Sequence, residues 1–286
     1  NGAKSTKTST RVFSAPTKQE LLAERDASDD EIASNIEIAV ENAGDLRREM
    51  EAFKERLREE REMDWQDKKA LEELLKKQEE LKNDLDEVKK NNQTKNERLN
   101  EFSPQEERIM EKQEELQKIM NDVMSEELRE LYEKMQELME DMNPDELQKQ
   151  IDKIDVSQDA LEKELDRALE QFKQLEWEVK MEEIVDELKV LAENQADLAK
   201  KTKNEELKSE ELKKEQDQLN ESFDKLKEKI NELEKDNTDL KNPNPMLNSD
   251  DLEKSISEEQ KESSEDLDKG KEKKASEKQK SAAEKI

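Results

Sequence analysis

Apolar residues recur along most of this chain at alternating steps of four and three. Between residues 157 and 200 the series is Leu161, Leu165, Ala168, Phe172, Leu175 and Val179, in a stretch without Gly or Pro. Such spacing draws one apolar stripe along a helix and leaves the remaining surface to Glu, Lys, Asp and Gln. A helix cannot bury its own stripe, so the pattern calls for a partner helix. The stripe slips near Glu182 and Glu183 and resumes at Ile184, Leu188, Leu191, Gln195 and Leu198, a local change of supercoil.

Upstream, residues 1–27 read as a flexible lead-in with a short helix over 18–26, started by the capping-box pair Thr17 and Glu20. A long coiled-coil arm is expected over 28–102, capped by Ser28 or Asp29. Its stripe runs through Ile32, Ile36, Ala39, Ala43, Leu46, Met50, Phe53 and Leu57. It weakens over 58–69, where the seam positions Glu60, Asp64 and Asp67 are charged. It resumes at Leu71, Leu74, Gln78, Leu81, Leu85 and Val88 and passes Asn92 and Lys95 to Leu99 and Phe102. One frame from Leu46 to Phe102 predicts coiled coil, and a single helix from Asp29 to Phe102 would be about 110 Å long.

Residues 103–157 read as a hub of short helices, with starts marked at Ser103 (before Pro104), Ser125, Asn143 (before Pro144) and Ser157. The hub holds six of the ten Met: Met110, Met120, Met124, Met135, Met139 and Met142. Met side chains repack around varied partners, so Met135, Met139 and Met142 are candidate partner contacts, weighed against a plain core role. Trp65 and Trp177 lie off the main seams. Each either anchors a partner or packs where two helices splay.

A return arm is expected over 158–241. A weak point falls at 200–204. Beyond it, Leu212, Leu219, Leu226, Leu233 and Leu240 stand at intervals of seven, with Gln216, Phe223, Ile230 and Asn237 at the other seam position. A buried Asn or Gln there fixes register at some cost in stability. Asn242-Pro243-Asn244-Pro245 stops the helix. Residues 242–286 read as a low-complexity tail: Leu252, Ile256 and Leu267 allow a short helix, and disorder is expected beyond Gly270. The fold class that follows is all-α: an elongated coiled coil of two long arms joined by a short-helix hub, with disordered termini. The arms pair either as an antiparallel hairpin within one chain or between two copies in a homo-oligomer.

Composition narrows the function classes. Of 286 residues 30% are hydrophobic, 47% charged and 3% aromatic, with 3 Gly and 5 Pro. That suits long helices and gives too little apolar material for a wide globular core. The formal charge of −29 repels nucleic acid and anionic membrane surfaces and favours basic protein partners. There is no Cys and no His, which removes thiol chemistry, the usual zinc motifs and the commonest general base. Gly stands only at positions 2, 44 and 270, so no phosphate-cradling loop is present. Ser222 and Lys225 have the spacing of a Ser–Lys nucleophile motif but lack its companion motifs, and a chance match on a helix is the simpler reading. Asp29-Asp30 and Asp250-Asp251 lack the spacing of a calcium loop. The expectation is no enzyme, no cofactor and no metal. No apolar run approaches the roughly 18 residues of a membrane span. The start at Asn1-Gly2-Ala3, without Met, reads as a piece of something longer or a trimmed form.

The block DELQK followed by ALEKELDRALEQFKQLE, and then DELKVLAENQADLAKKT, resembles a large bacterial membrane-anchored coiled-coil family of unknown function. The similarity concentrates in residues 128–202. It implies a membrane-tethered protein with a helical extramembrane part and a low-complexity tail, and it supplies no catalytic residue. This chain departs from that pattern in carrying no span. The expected function is a structural or scaffolding module that makes protein–protein contacts in a cell-envelope assembly, on the periplasmic side, with partners that include membrane-embedded ones. A cytoplasmic place is also compatible. The alternative is a chaperone-like clamp holding a client between helical arms.

Overall fold

The computed structural model describes residues 15–59, 64–102, 105–141 and 144–286. As the periodicity predicts, the fold is all-α, with no strand among the described residues. The helices are α1 (Lys18–Glu59), α2 (Trp65–Phe102), α3 (Glu107–Asp122), α4 (Glu126–Asp141), α5 (Pro144–Lys203), α6 (Ser209–Thr238), α7 (Asp250–Asp268) and α8 (Glu272–Lys285). They form two compact units, one ending at Phe172 and the other running from Lys173 to Ile286. α5 contributes its first part to one unit and its second part to the other.

In the first unit α1 and α2 pack antiparallel, as the pairs Glu49–Lys77 (2.6 Å), Glu24–Arg98 (2.7 Å) and Asp29–Lys95 record. α3 and α4, end to end, run back along α2: Asn92 donates to Gln117 at 3.0 Å, and Gln78 approaches the Met124 sulfur at 3.7 Å. α5 then runs antiparallel to α1, with Arg47–Asp159 at 2.9 Å and Lys54–Asp152 at 2.8 Å. The result is an up-down-up-down four-helix bundle. All legs feed one core, which includes Leu46, Met50 and Phe53 of α1, Leu81 and Leu85 of α2, Leu128 and Met135 of α4, and Ile151, Leu161 and Leu165 of α5. Each large aliphatic or aromatic side chain so buried contributes about 1.5–3 kcal/mol.

Several expectations are corrected. The helix expected over 18–26 does not stop; α1 continues to Glu59 and buries Asp29 instead of using it as a cap. The capping box at its start is as predicted: the Thr17 amide donates to Glu20 at 2.8 Å and the Glu20 amide to the Thr17 hydroxyl at 3.2 Å. The arm expected over 28–102 is two helices folded on each other. The sequence between the two helices contains neither Gly nor Pro. Asp64 and Asp67 cap α2 reciprocally, the Asp67 amide donating to Asp64 at 2.9 Å and the Asp64 amide to Asp67 at 3.1 Å. Arg56 ties the end of α1 to Asp67 at 2.8 Å. Charged seam positions that weaken a coiled coil therefore mark a reversal. Ser125 caps α4, accepting from the Leu128 amide at 3.2 Å. Ser157 starts no helix, because α5 runs through it. The starts expected at Ser103 and Asn143 lie outside the described residues.

The second unit is another up-down-up-down bundle, built from 173–203 of α5 with α6, α7 and α8. Lys229–Glu187 (2.7 Å) and Lys180–Asp236 (3.1 Å) pair α6 antiparallel with α5. Lys213–Asp268 (2.8 Å) pairs α7 with α6, and Lys278–Glu262 (2.5 Å) pairs α8 with α7. Residues 242–286 thus hold two helices, where a low-complexity tail with disorder beyond Gly270 was expected. The reason is visible in the burial. Ile256, Gln260, Ser263 and Leu267, then Ala275, Gln279 and Ala282, keep the four–three phase with small and polar residues. The turn between them uses Gly270 at φ 65, left-handed backbone that a glycine adopts without strain. The α6–α7 connection is pinned by Asn237, whose amide donates to the Asn244 carbonyl at 2.9 Å and accepts from its amide at 2.7 Å.

Candidate interaction site

The residues picked out as partner contacts separate by burial. Trp65 opens α2 and is 73% exposed, with the Lys69 ammonium 6.0 Å from its ring. Trp177 is buried, and its indole donates to the Leu233 carbonyl at 3.1 Å inside the cluster of Ile184, Leu233 and Leu240. Met135 is fully buried in the first unit's core. The Met139 side chain and Met142 lie outside the described residues. The leucine repeat is taken up within the chain. Leu212 packs with Leu198 and Leu267, Leu226 with Leu191 and Ile256, and Leu233 and Leu240 with Trp177 and Ile184; Leu219 is half-buried between two of these clusters. The slip anticipated at Glu182 occurs earlier. Trp177, Ile184, Leu191 and Leu198, rather than Val179, carry the buried stripe into the second unit.

Between two apolar clusters of the second unit lies a polar layer with one Gln from each helix: Gln195, Gln216, Gln260 and Gln279, each no more than 1% exposed. Gln195 and Gln216 exchange amide hydrogen bonds at 2.8 and 3.0 Å. Gln260 donates to Gln195 at 3.0 Å, and the Ser263 hydroxyl donates to Gln216 at 3.3 Å. Neither the oxygen nor the nitrogen of the Gln279 amide has a hydrogen-bonding partner. Gln195 and Gln216 are legible in the sequence as polar seam positions. Gln260 and Gln279 are missed there because their neighbours are Ser and Ala.

The first unit has its own buried polar groups. Lys95 pairs with Asp29 and sits 4.8 Å over the Phe172 ring, while Arg25 lies 3.9 Å from Asp29 and bonds Asp26 at 2.6 Å. A groove of about 390 Å³ runs beside them, bordered by Leu21, Glu24, Ile32, Arg98 and Leu99. Its basic groups are committed to carboxylates, so it makes a poor anion site. Elsewhere in the first unit, Tyr132 accepts a hydrogen bond from the Gln158 amide, and burial pushes its phenol well above the usual range against that bond's pull. In the second unit burial pulls the Lys180 ammonium down, but its bonds to Glu176 and Asp236 outweigh this and raise it overall.

The Ser222 hydroxyl donates to the Gln218 carbonyl at 2.9 Å, an ordinary helix-backbone bond. Among the described residues no group of three His, Cys, Asp or Glu is placed to hold a metal ion, and no helix is long and apolar enough to cross a membrane. Comparisons with protein-family models, with curated proteins and with solved structures find no match to this chain.

Proposed function

We propose that this protein is a non-enzymatic structural adaptor, a helical scaffolding module that acts through protein–protein contact. The observation that carries this reading is where the apolar stripes go. In each unit they are buried against helices of the same chain, which leaves charged outer faces and isolated apolar side chains such as Trp65 for contact with others. The overall charge favours basic partner surfaces. A place in the cell envelope, beside a membrane-embedded partner, rests on the family resemblance. The clamp alternative draws less support, because the stripes that would line its inner face lie inside bundles.

The reading is tested by placing a photo-crosslinking residue at Trp65 and, separately, at Met135 in the full chain within its native cells. A discrete adduct with another protein at position 65, and none at position 135, is expected. Equal labelling at both positions, or none at either, contradicts it. Suppression of a denatured client's aggregation by the purified chain would favour the clamp instead.

A further inference from the structure

The second unit is unevenly held together. α5 and α6 contribute Trp177, Ile184, Leu191, Phe223, Leu226 and Leu233 to its interior. α8 contributes Ala275 and Ala282, with Ile286 beyond its end only partly buried. Alanine removes little apolar area from water, so α8 gains little from docking. At the centre of its inner face Gln279 is completely buried with both amide atoms unpaired, which opposes docking. What holds α8 is mainly polar: ion pairs at its rim and single buried hydrogen bonds to α5 and α7. Lys278 pairs with Glu262 at 2.5 Å, Lys285 with Glu259 at 2.7 Å, and the Ser276 hydroxyl donates to the Ala199 carbonyl at 2.9 Å. Ion pairs as exposed as Lys278–Glu262 stabilise little.

We propose that α8 is a releasable occupant of a helix-binding slot between α5 and α7, and that the slot's external ligand is a basic amphipathic helix of a partner protein. Release uncovers Gln195 and Leu198 on α5 and Gln260, Ser263 and Leu267 on α7, a polar centre flanked by aliphatic side chains. The acidic pair Glu259 and Glu262 defines the ligand's charge. α8 meets them with Lys278 and Lys285, so the partner helix carries two basic residues seven apart. Next to the first stands a polar side chain that fills the position of Gln279. Helix-in-groove binding of this kind reads apolar anchors at helical spacing and takes its orientation from the flanking charges. The inference deepens the adaptor role by naming a site and a partner chemistry, and rests on that role for its biological sense.

Two measurements on the full chain test it. In native-state hydrogen exchange, α8 amides exchange at least about 100-fold faster than the buried amides of α5 and α6, and Gln279→Leu slows α8 exchange by about tenfold. In the second, a labelled synthetic peptide of residues 271–286 serves as the probe. It binds the chain carrying Lys278→Glu and Lys285→Glu, whose own α8 is repelled, at least about tenfold more tightly than the chain carrying Gln279→Leu. Exchange of α8 at the rate of α6, or peptide binding that does not distinguish the two variants, overturns the proposal. Should the charge-reversed chain fail to fold, exchange in the unaltered and Gln279→Leu chains still decides. Either failure would leave the crosslinking test at Trp65 untouched, so the slot and the adaptor role stand or fall separately.

Discussion

At the scale of single residues, burial separates side chains that the sequence presents as equals. Trp65 and Met135 are both apolar candidates for partner contact, but one stands in water and the other is in the core. Met135→Ala should cost about 2–5 kcal/mol in urea unfolding, through lost burial and the cavity left behind. Trp65→Ala should stay within about 0.5 kcal/mol while abolishing any contact made there. Tyr132 gives a residue-scale handle on pH. The unfolded phenol loses its proton near pH 10, and the folded one, raised by burial, loses it higher. Above that pH the folded state binds more protons than the unfolded state, so stability falls as pH rises. Lys180 acts in the same direction. Its contribution is complete below the unfolded lysine value of about 10.4 and is lost as pH climbs through the raised folded one. Tyr132→Phe should flatten the alkaline decline between about pH 9.5 and 11.5. At neutral pH it should cost about 1–3 kcal/mol, because the Gln158 amide loses its acceptor. Stability measured against pH, with and without the substitution, checks both parts.

At the scale of elements, the stripes were legible, and so were the breaks near 200–204 and at 242–245, but the reversal between α1 and α2 was not. Every apolar position expected from Ile32 to Leu57 in α1 and from Leu71 to Val88 in α2 is buried. The break between them is hidden in the sequence for a geometric reason. Leu57 and Leu71 are two heptads apart, so the seam keeps its phase from α1 to α2 and reads as one helix. The clue was the charge at Asp64 and Asp67, which cap α2. The tail misled in the opposite way. Its seam is written in Ala, Ser and Gln, residues that periodicity in large apolar side chains does not register, yet Ala275, Gln279 and Ala282 are fully buried. The α1–α2 hairpin is also where a buried charge can be tested. Asp29→Ala leaves Lys95 and Arg25 without their buried carboxylate and should cost about 3–5 kcal/mol. Replacing both Asp29 and Lys95 with Ala removes one of the two stranded cations and should recover part of that loss. A double-mutant cycle in urea measures the difference.

At the scale of the whole molecule, the central claim is that the helices of this chain satisfy one another. The sequence left open whether its stripes pair within one chain or between copies, because a heptad seam is the same in both cases. In the fold the stripes pair within the chain: α1 with α2, α3 and α4 with α2, and α5 with α1 in one unit, and α5 to α8 in the other. Of the interaction site, the exposed Trp65 and the seam glutamines Gln195 and Gln216 could be read in advance. The release of α8 could not, since it depends on which buried amide lacks a partner. The absence of Cys makes the central claim directly measurable. Cysteine pairs replacing Glu49 with Lys77, and Glu187 with Lys229, join positions whose side chains meet at 2.6 and 2.7 Å. With a short bifunctional thiol reagent at low protein concentration, both pairs should cross-link within a single 33.6 kDa chain. Cross-links that appear only between chains, with the mass of a dimer, would contradict the account.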